Sequence, residues 1–241
     1  MSRPNIDDDI RVEKRYEALA AALREQILSG EIASGGALPN ELELVERSGL
    51  SRGSVREALR VLEAQGLVST KVGRGQGRRA VRPGAELVRN SLEFFIRGHQ
   101  VEFSMLMETM ETLEPSLAAL AALHHTEQDV VLFKAQLEKL RTTTGTKRFL
   151  AVNMRWHELI AHASHNHVLI ALYDAVSPGL LDPHVAGFAS TEIREAVVHA
   201  ANRIQEAIVA RDVETARRRM QRHVQAYRQS VEPVAPKVVT L

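Results

Sequence analysis

The stretch over residues 40–65 leaves this chain little choice of local architecture. Asn40 is placed to cap a helix, and Glu43, three positions on, reaches back to close a capping box, with Leu42 and Val45 as the apolar face. Gly49 stops that helix and Leu50 anchors the turn. Ser51 caps the next helix, on which Val55, Ala58, Leu59 and Leu62 recur as a buried stripe. Upstream, Tyr16, Leu19, Ala20, Leu23 and Ile27 share one face of a helix predicted over residues 11–29 and closed by Gly30. Two short helices across a glycine turn, braced by a third, predict a helix-turn-helix.

After Gly66, residues 67–72 read as a strand and Gly73-Arg74-Gly75-Gln76-Gly77-Arg78-Arg79 as a hairpin tip, which adds a wing. Pro83-Gly84 then punctuates the chain, and the later segments have helical period. Apolar stripes fall at Leu106, Met110, Leu113, Leu117 and Leu120, over 131–140, 149–163 and 168–176, at Ile193, Val197, Ala201, Ile204 and Ile208, and over 213–227. The expected fold is mainly α: an N-terminal winged helix-turn-helix over residues 1–82 and a C-terminal all-α bundle of six to seven helices over 83–241.

Charge has to be counted by segment before a partner is inferred. Residues 47–82 carry nine Arg or Lys against only Glu57 and Glu63, a local charge of +7 in a chain whose total is +1. Such a focused field is what attracts a polyanion. On the third helix Arg52, Arg56 and Arg60 recur every four residues, opposite the apolar stripe. An α-helix fits the DNA major groove, where an arginine donates two hydrogen bonds to guanine. Reading falls to residues near the helix N-terminus, so Arg52 and Arg56 are the candidate base readers. Arg60 is left to a phosphate or to an ion pair with a neighbour. Ser51 and Ser54, with the free amides of the helix start, suit phosphate oxygens. In the wing, Gly73 and Gly75 allow close approach of the backbone, and Arg74, Arg78 and Arg79 suit a minor groove or the phosphates beside it. The glycines of that tip do not sit between a buried parallel strand and a helix, so a dinucleotide loop is a poor match.

The chain has no cysteine, which removes disulfides and thiolate metal sites. Its N-terminus lacks the apolar stretch of a signal peptide, and no run reaches the ~18 apolar residues of a membrane span. A cytoplasmic protein with no membrane partner is expected.

The run Leu38-Pro39-Asn40-Glu41, then Gly49-Leu50-Ser51-Arg52-Gly53-Ser54-Val55-Arg56-Glu57-Ala58-Leu59-Arg60, Leu62-Glu63-Ala64-Gln65-Gly66-Leu67-Val68 and Gly73-Arg74-Gly75 resembles the signature of GntR-type regulators over about residues 13 to 80. The resemblance implies DNA contacts from Ser51, Arg52, Ser54 and Arg56, with Gly73 as the wing glycine. Leu42 departs from the pattern, standing where many members have a DNA-contacting arginine. The remainder resembles the FadR type of C-terminal effector domain (FCD) through Leu113-Glu114-Pro115, Trp156-His157 with Asn166, Ala207-Ile208 with Asp212, and Met220 with His223.

Many such domains resemble metal sites built from an Asp, a His four residues later, and two further His. Here His157 and His223 match, but Asn153 replaces the Asp and Ala201 stands at the third imidazole position. His199, two residues from Ala201, is rotated about 200° away. The expectation is therefore no resident cofactor; if a divalent ion binds, its ligands are His157, His223 and Asn153. His157 and His223 are otherwise ligand-binding or satisfied interior histidines. Met110 replaces an arginine that many relatives place against an effector carboxylate, and with Met105 and Met107 it makes either a soft apolar wall or plain core filler. Met110, Asn153, His157, Ala201 and His223 are thus the candidate effector site, for a ligand less acidic or more hydrophobic than usual. His162, His165 and His167, like His124 and His125, are expected to be solvated helix-end residues, since no carboxylate is suitably spaced near them.

These features predict a ligand-responsive regulator, a repressor that binds a palindromic double-stranded operator as a homodimer and is released by a small organic effector. The rivals are a metal-dependent hydrolase centred on His157 and His223, which the incomplete ligand set disfavours, and a nonspecific DNA-binding protein.

Overall fold

A computed structural model describes residues 6–70, 77–180, 190–231 and 238, with backbone alone over 6–14. By internal contact the chain divides into two units, residues 1–87 and 88–241, a boundary five residues beyond the one expected at Pro83-Gly84.

The first unit packs three helices on a small sheet. Helix α1 (Ile6–Leu28) starts earlier than its apolar spacing indicated and buries Ala20, Leu23 and Ile27. Helix α2 (Glu41–Ser48) carries the expected capping box, with the Asn40 side chain accepting from the Glu43 amide and Glu43 answering on the Asn40 amide. Its C-terminus closes on Gly49 at φ 65°, a left-handed turn that a β-carbon would strain. The apolar face differs from expectation. Leu44 is the buried residue of α2 and Val45 packs beside it half-buried, whereas Leu42 is 54% exposed. Helix α3 (Arg52–Ala64) buries Val55, Ala58, Leu59 and Leu62 completely. Strands β1 (Val68–Thr70) and β2 (Arg78–Ala80) pair antiparallel, with Val68 opposite Ala80 and Thr70 opposite Arg78. Residues 35–38 run along β2 and extend this wing through the Leu38 amide to the Arg78 carbonyl at 2.9 Å.

The second unit is helical among its described residues: α4 (Ala85–His99), α5 (Phe103–His124), α6 (Glu127–Thr142), α7 (Thr146–Ala163), α8 (His167–Val176) with a 3₁₀ turn (Ser177–Leu180), α9 (Thr191–Val209) and α10 (Val213–Val231). Helix α5 is the central pillar, with both α10 and α7 packed on it. Its small residues Ala118, Ala121 and Ala122 let those neighbours approach closely. Helix α6 turns Val130, Phe133, Leu137 and Leu140 inward, leaving Val131 exposed. Among the described residues no helix is long and apolar enough to cross a membrane.

Candidate functional site

Because one side of α3 is sealed in the core, its other side presents Arg52, Arg56 and Arg60 to solvent. The Ser51 side chain accepts the Ser54 amide at 3.1 Å and meets the Ser54 hydroxyl at 2.9 Å. Ser54 is buried, so of the two serines expected on phosphate only Ser51 is exposed.

A network across secondary elements surrounds the arginines. Arg56 Nε donates to Glu41 Oε2 at 2.8 Å, and Arg78 Nη1 donates to the other oxygen of Glu41 at 3.0 Å. Arg78 Nε and the Thr70 hydroxyl both donate to Glu63 Oε1, at 2.9 and 2.6 Å. The hydrogen bond from Arg56 holds the Glu41 carboxyl below its ordinary range, and that from Thr70 does the same for Glu63, each with Arg78 adding to it. Arg60 pairs with Glu57 at 3.3 Å. Arg79 donates to the Gly35 carbonyl at 2.7 Å.

Two of the arginines expected on DNA have partners within the fold. Arg78 is only 25% exposed and committed to two carboxylates, and Arg79 is tied to backbone, because the strand register sets them beside α2, α3 and the 35–38 segment. Arg78 links the wing to the reading helix instead. Gly73, Arg74 and Gly75 lie outside the described residues.

The exposed arginines remain available to DNA. Arg56 is 61% exposed in its pair with Glu41, and such pairs contribute about 0–1 kcal/mol. A phosphate or base can therefore compete for it. The bond to Glu41 uses Nε, and the two terminal nitrogens are the pair that fits guanine O6 and N7. Arg52 forms no ion pair or hydrogen bond among the described residues.

The helical unit holds a different kind of centre. His157 Nδ1, on α7, lies 2.6 Å from Glu114 Oε2 on α5, with both side chains more than nine-tenths buried. Its Nε2 faces His223 Nε2 of α10 at 3.3 Å, and the two imidazoles stack with centroids 5.2 Å apart. Trp156 meets both rings edge-on. A carboxylate on Nδ1 fixes the proton there, so in the neutral ring His157 Nε2 accepts and His223 Nε2 donates. Burial, and then the charge of His157, pushes the His223 pKa down from the usual 6.5 to about 3. Burial likewise drives the Tyr173 phenol well above 10, with Glu114 adding to the effect. Asn153 Oδ1 and Trp156 Nε1 are buried with no protein partner.

His157 and His223 are thus brought together, and Asn153 stands one turn before His157 on α7. Met110 and Ala201 are fully buried core residues, as is Met107, whereas Met105 is exposed. His199 is exposed while Ala201 is not, the rotation expected along α9.

The donors present do not fit a tightly held divalent ion. Ala201 supplies none, Asn153 offers a neutral amide in place of a carboxylate, and the two imidazoles already bond each other. Among the described residues no group of three His, Cys, Asp or Glu is arranged to hold one.

Glu114 is a member of this centre that the expected site lacks, although a carboxylate on the face otherwise lined by Met107, Met110 and Leu117 is a signal in its own right. Of the peripheral histidines, His124, His162, His165 and His167 are exposed as expected, but carboxylates do stand near two of them, Asp129 at 2.9 Å from His165 and Asp174 at 3.3 Å from His162. His125 departs from the expectation, being buried with Nδ1 on the Ala121 carbonyl. Asp129 and Asp174 come from α6 and α8, which spacing within one helix does not reveal.

A winged helix-turn-helix with a one-sided arginine face, followed by an all-helical domain with a buried polar centre, defines a transcription regulator. The chain belongs to the GntR family of bacterial regulatory proteins: the model described as "Bacterial regulatory proteins, gntR family" matches residues 15–77 and the FCD domain model matches 105–226. It is 28% identical over 223 residues to the HTH-type transcriptional repressor NanR of Salmonella newport, covering 88% of this chain and 83% of that one. The Salmonella typhi repressor of the same name is equally similar, with 82% of its length covered. The solved structure of Streptococcus agalactiae GntR superposes with a TM-score of 0.66 at 23% identity, covering 89% of this chain and 99% of that one. The protein is a DNA-binding transcription regulator, and no relative among these is an enzyme.

Proposed function

We propose that this regulator is a homodimeric, cytoplasmic repressor whose grip on a two-fold symmetric operator is loosened by a small molecule held at the Glu114–His157–His223 centre. The exposed arginine face of α3 carries the reading. One such helix reads too few base pairs for genomic selectivity, so two copies joined on two half-sites are required. The Salmonella relatives are transcriptional repressors, which supports repression rather than activation.

Arg52 and Arg56 read bases, Ser51 and the α3 amides hold phosphate, and Arg60 adds a backbone contact when Glu57 releases it. Gly73, Arg74 and Gly75 contact the duplex from the wing. In the helical unit, the unpartnered Asn153 Oδ1 and Trp156 Nε1 offer an effector one acceptor and one donor beside the histidine pair. Met110 and Ala201 shape the apolar side, which favours an effector whose buried part is uncharged. The site works without a metal.

The test is operator selection followed by binding measured against random DNA at fixed salt, with sedimentation of the complex. A palindromic consensus, at least a hundredfold preference for it and two chains per site are expected. Equal affinity for both DNAs overturns the reading in favour of nonspecific binding. Near-stoichiometric zinc in the purified protein overturns the metal-free site.

A further inference from the structure

The arginines of this protein differ in how their charge is offset. Several have a carboxylate partner: Arg56 and Arg78 with Glu41, Arg60 with Glu57, Arg155 with Glu158, and Arg228 with Glu108 and Glu111. Four others converge without one. Arg203 on α9 and Arg218, Arg219 and Arg222 on α10 line a cleft of about 320 Å³ between those two helices, together with His199 and His223. No Asp or Glu lines it, and among the described residues none of the four arginines forms an ion pair.

Two of the four are held in place by neutral bonds. Arg218 Nη2 donates to the Thr215 hydroxyl at 3.2 Å, and Arg219 Nη1 donates to the Arg203 backbone carbonyl. Neither bond offsets positive charge. Asp212 accepts the Thr215 amide at the start of α10, and its carboxyl is held below its ordinary range first by Thr215 and then by Arg218 and Arg219. It therefore screens the base of the cleft without lining it. Four guanidinium groups around one concavity repel each other, and an anion with two or more charges relieves that repulsion with several charge-assisted hydrogen bonds at once. Guanidinium forks match the oxygen geometry of phosphates and carboxylates.

We propose that the α9–α10 cleft is a binding site for a small organic polyanion, phosphate- or carboxylate-bearing, held by Arg203, Arg218, Arg219 and Arg222. Its position gives it a route to the interior. His223 lines the cleft and also faces His157, so a ligand seated there touches the same side chain that the Glu114–His157 pair touches from within. This deepens the proposed regulator, because the cleft supplies the charge-reading half of an effector site whose interior half is apolar.

The test uses the full chain and calorimetric titration with pyrophosphate, a sugar phosphate and citrate, each at constant ionic strength, with chloride as the control. Saturable binding is expected for at least one probe. It should weaken at least tenfold in Arg219→Gln/Arg222→Gln and recover most of the loss in Arg222→Lys. Circular dichroism confirms that the variants, altered only at exposed or half-exposed positions, retain the fold. A phosphate preference or a carboxylate preference names the source of the charge. The absence of saturable binding by all three probes, or equal binding in the double variant, overturns the site. Operator binding is measured on the same proteins: loss of DNA affinity in the double variant, with a shallower salt dependence, assigns these arginines to DNA instead and also overturns it. A wild-type protein without operator preference would defeat the regulator reading alone, so the two failures are distinguishable.

Discussion

The two polar networks of this protein have similar lengths and opposite settings. Glu41 holds Arg56 at 2.8 Å on the open face of the reading helix, and Glu114 holds His157 at 2.6 Å inside the helical unit. Water competes for the first pair and is excluded from the second. An exposed pair contributes about 0–1 kcal/mol and is exchangeable, whereas removing one partner of a buried pair costs about 3–5 kcal/mol because the other is stranded. The first network is therefore suited to trading a carboxylate for a phosphate or base, and the second to holding a frame that a ligand perturbs.

The largest effect expected from this contrast is at Glu114. Glu114→Ala should destabilise the helical unit by about 3 kcal/mol or more, since it strands the His157 Nδ1 proton in the core. Glu114→Gln, which keeps an acceptor, should cost less. Denaturant unfolding of the two variants measures both. A loss below about 1 kcal/mol for the alanine variant would place this pair with the surface ones and break the contrast.

Next in size is Arg56→Ala, expected to weaken operator binding by about 1–3 kcal/mol, roughly 5- to 150-fold, and to relax selectivity at one base pair. The unfolding midpoint should hardly move, because Arg56 is exposed and its pair with Glu41 adds little. A filter-binding series on single-base operator variants reports the first, thermal unfolding the second. Unchanged affinity together with unchanged selectivity would remove Arg56 from the reading face.

How far these networks can be anticipated from the chain depends on sequence distance. The caps at Asn40 and Ser51, the left-handed Gly49 and the buried side of α3 are legible because their partners lie within four residues. Glu114 and His157 are 43 positions apart, His157 and His223 66, and Arg78 and Glu41 37. Helical spacing says nothing about such pairs. That is why Arg78 reads as a free wing cation and Glu114 as part of a motif until the folded chain brings their partners to them. The resemblance to FadR-type domains supplies the approach of His157 to His223 that periodicity alone does not. Leu42 shows the limit even within one helix: two apolar residues three apart define a face, but Leu44, which carries the burial, belongs to neither position.

The buried network also makes a pH prediction that the exposed one does not. His223 has its pKa depressed to about 3 in the folded chain and near 6.5 when unfolded, so between those values the unfolded chain binds the extra proton. Stability should be full above pH 6.5 and fall as the pH drops toward 3, by at most about 1.4 kcal/mol per pH unit from this group. His223→Asn should flatten that segment of the profile. Superimposable wild-type and variant curves between pH 4 and 6.5 would show that His223 protonates freely and is not enclosed.

The smallest effect is at Glu41, and it separates the networks most sharply. Glu41→Gln removes the charge that holds Arg56 and Arg78 but leaves an amide oxygen able to accept one of their bonds. Stability should change by less than about 1 kcal/mol, as for any half-exposed pair. DNA binding should change in kind. With one less carboxylate beside the reading helix, the local field becomes more positive, so affinity for random DNA rises. Arg56, no longer oriented through Nε, loses part of its advantage on the correct base. The expected result is a lower ratio of operator to random affinity with little change in operator affinity itself, read at fixed salt. If both affinities rise together and the ratio holds, Glu41 acts only as a charge, and the orientation of Arg56 comes from α3 alone.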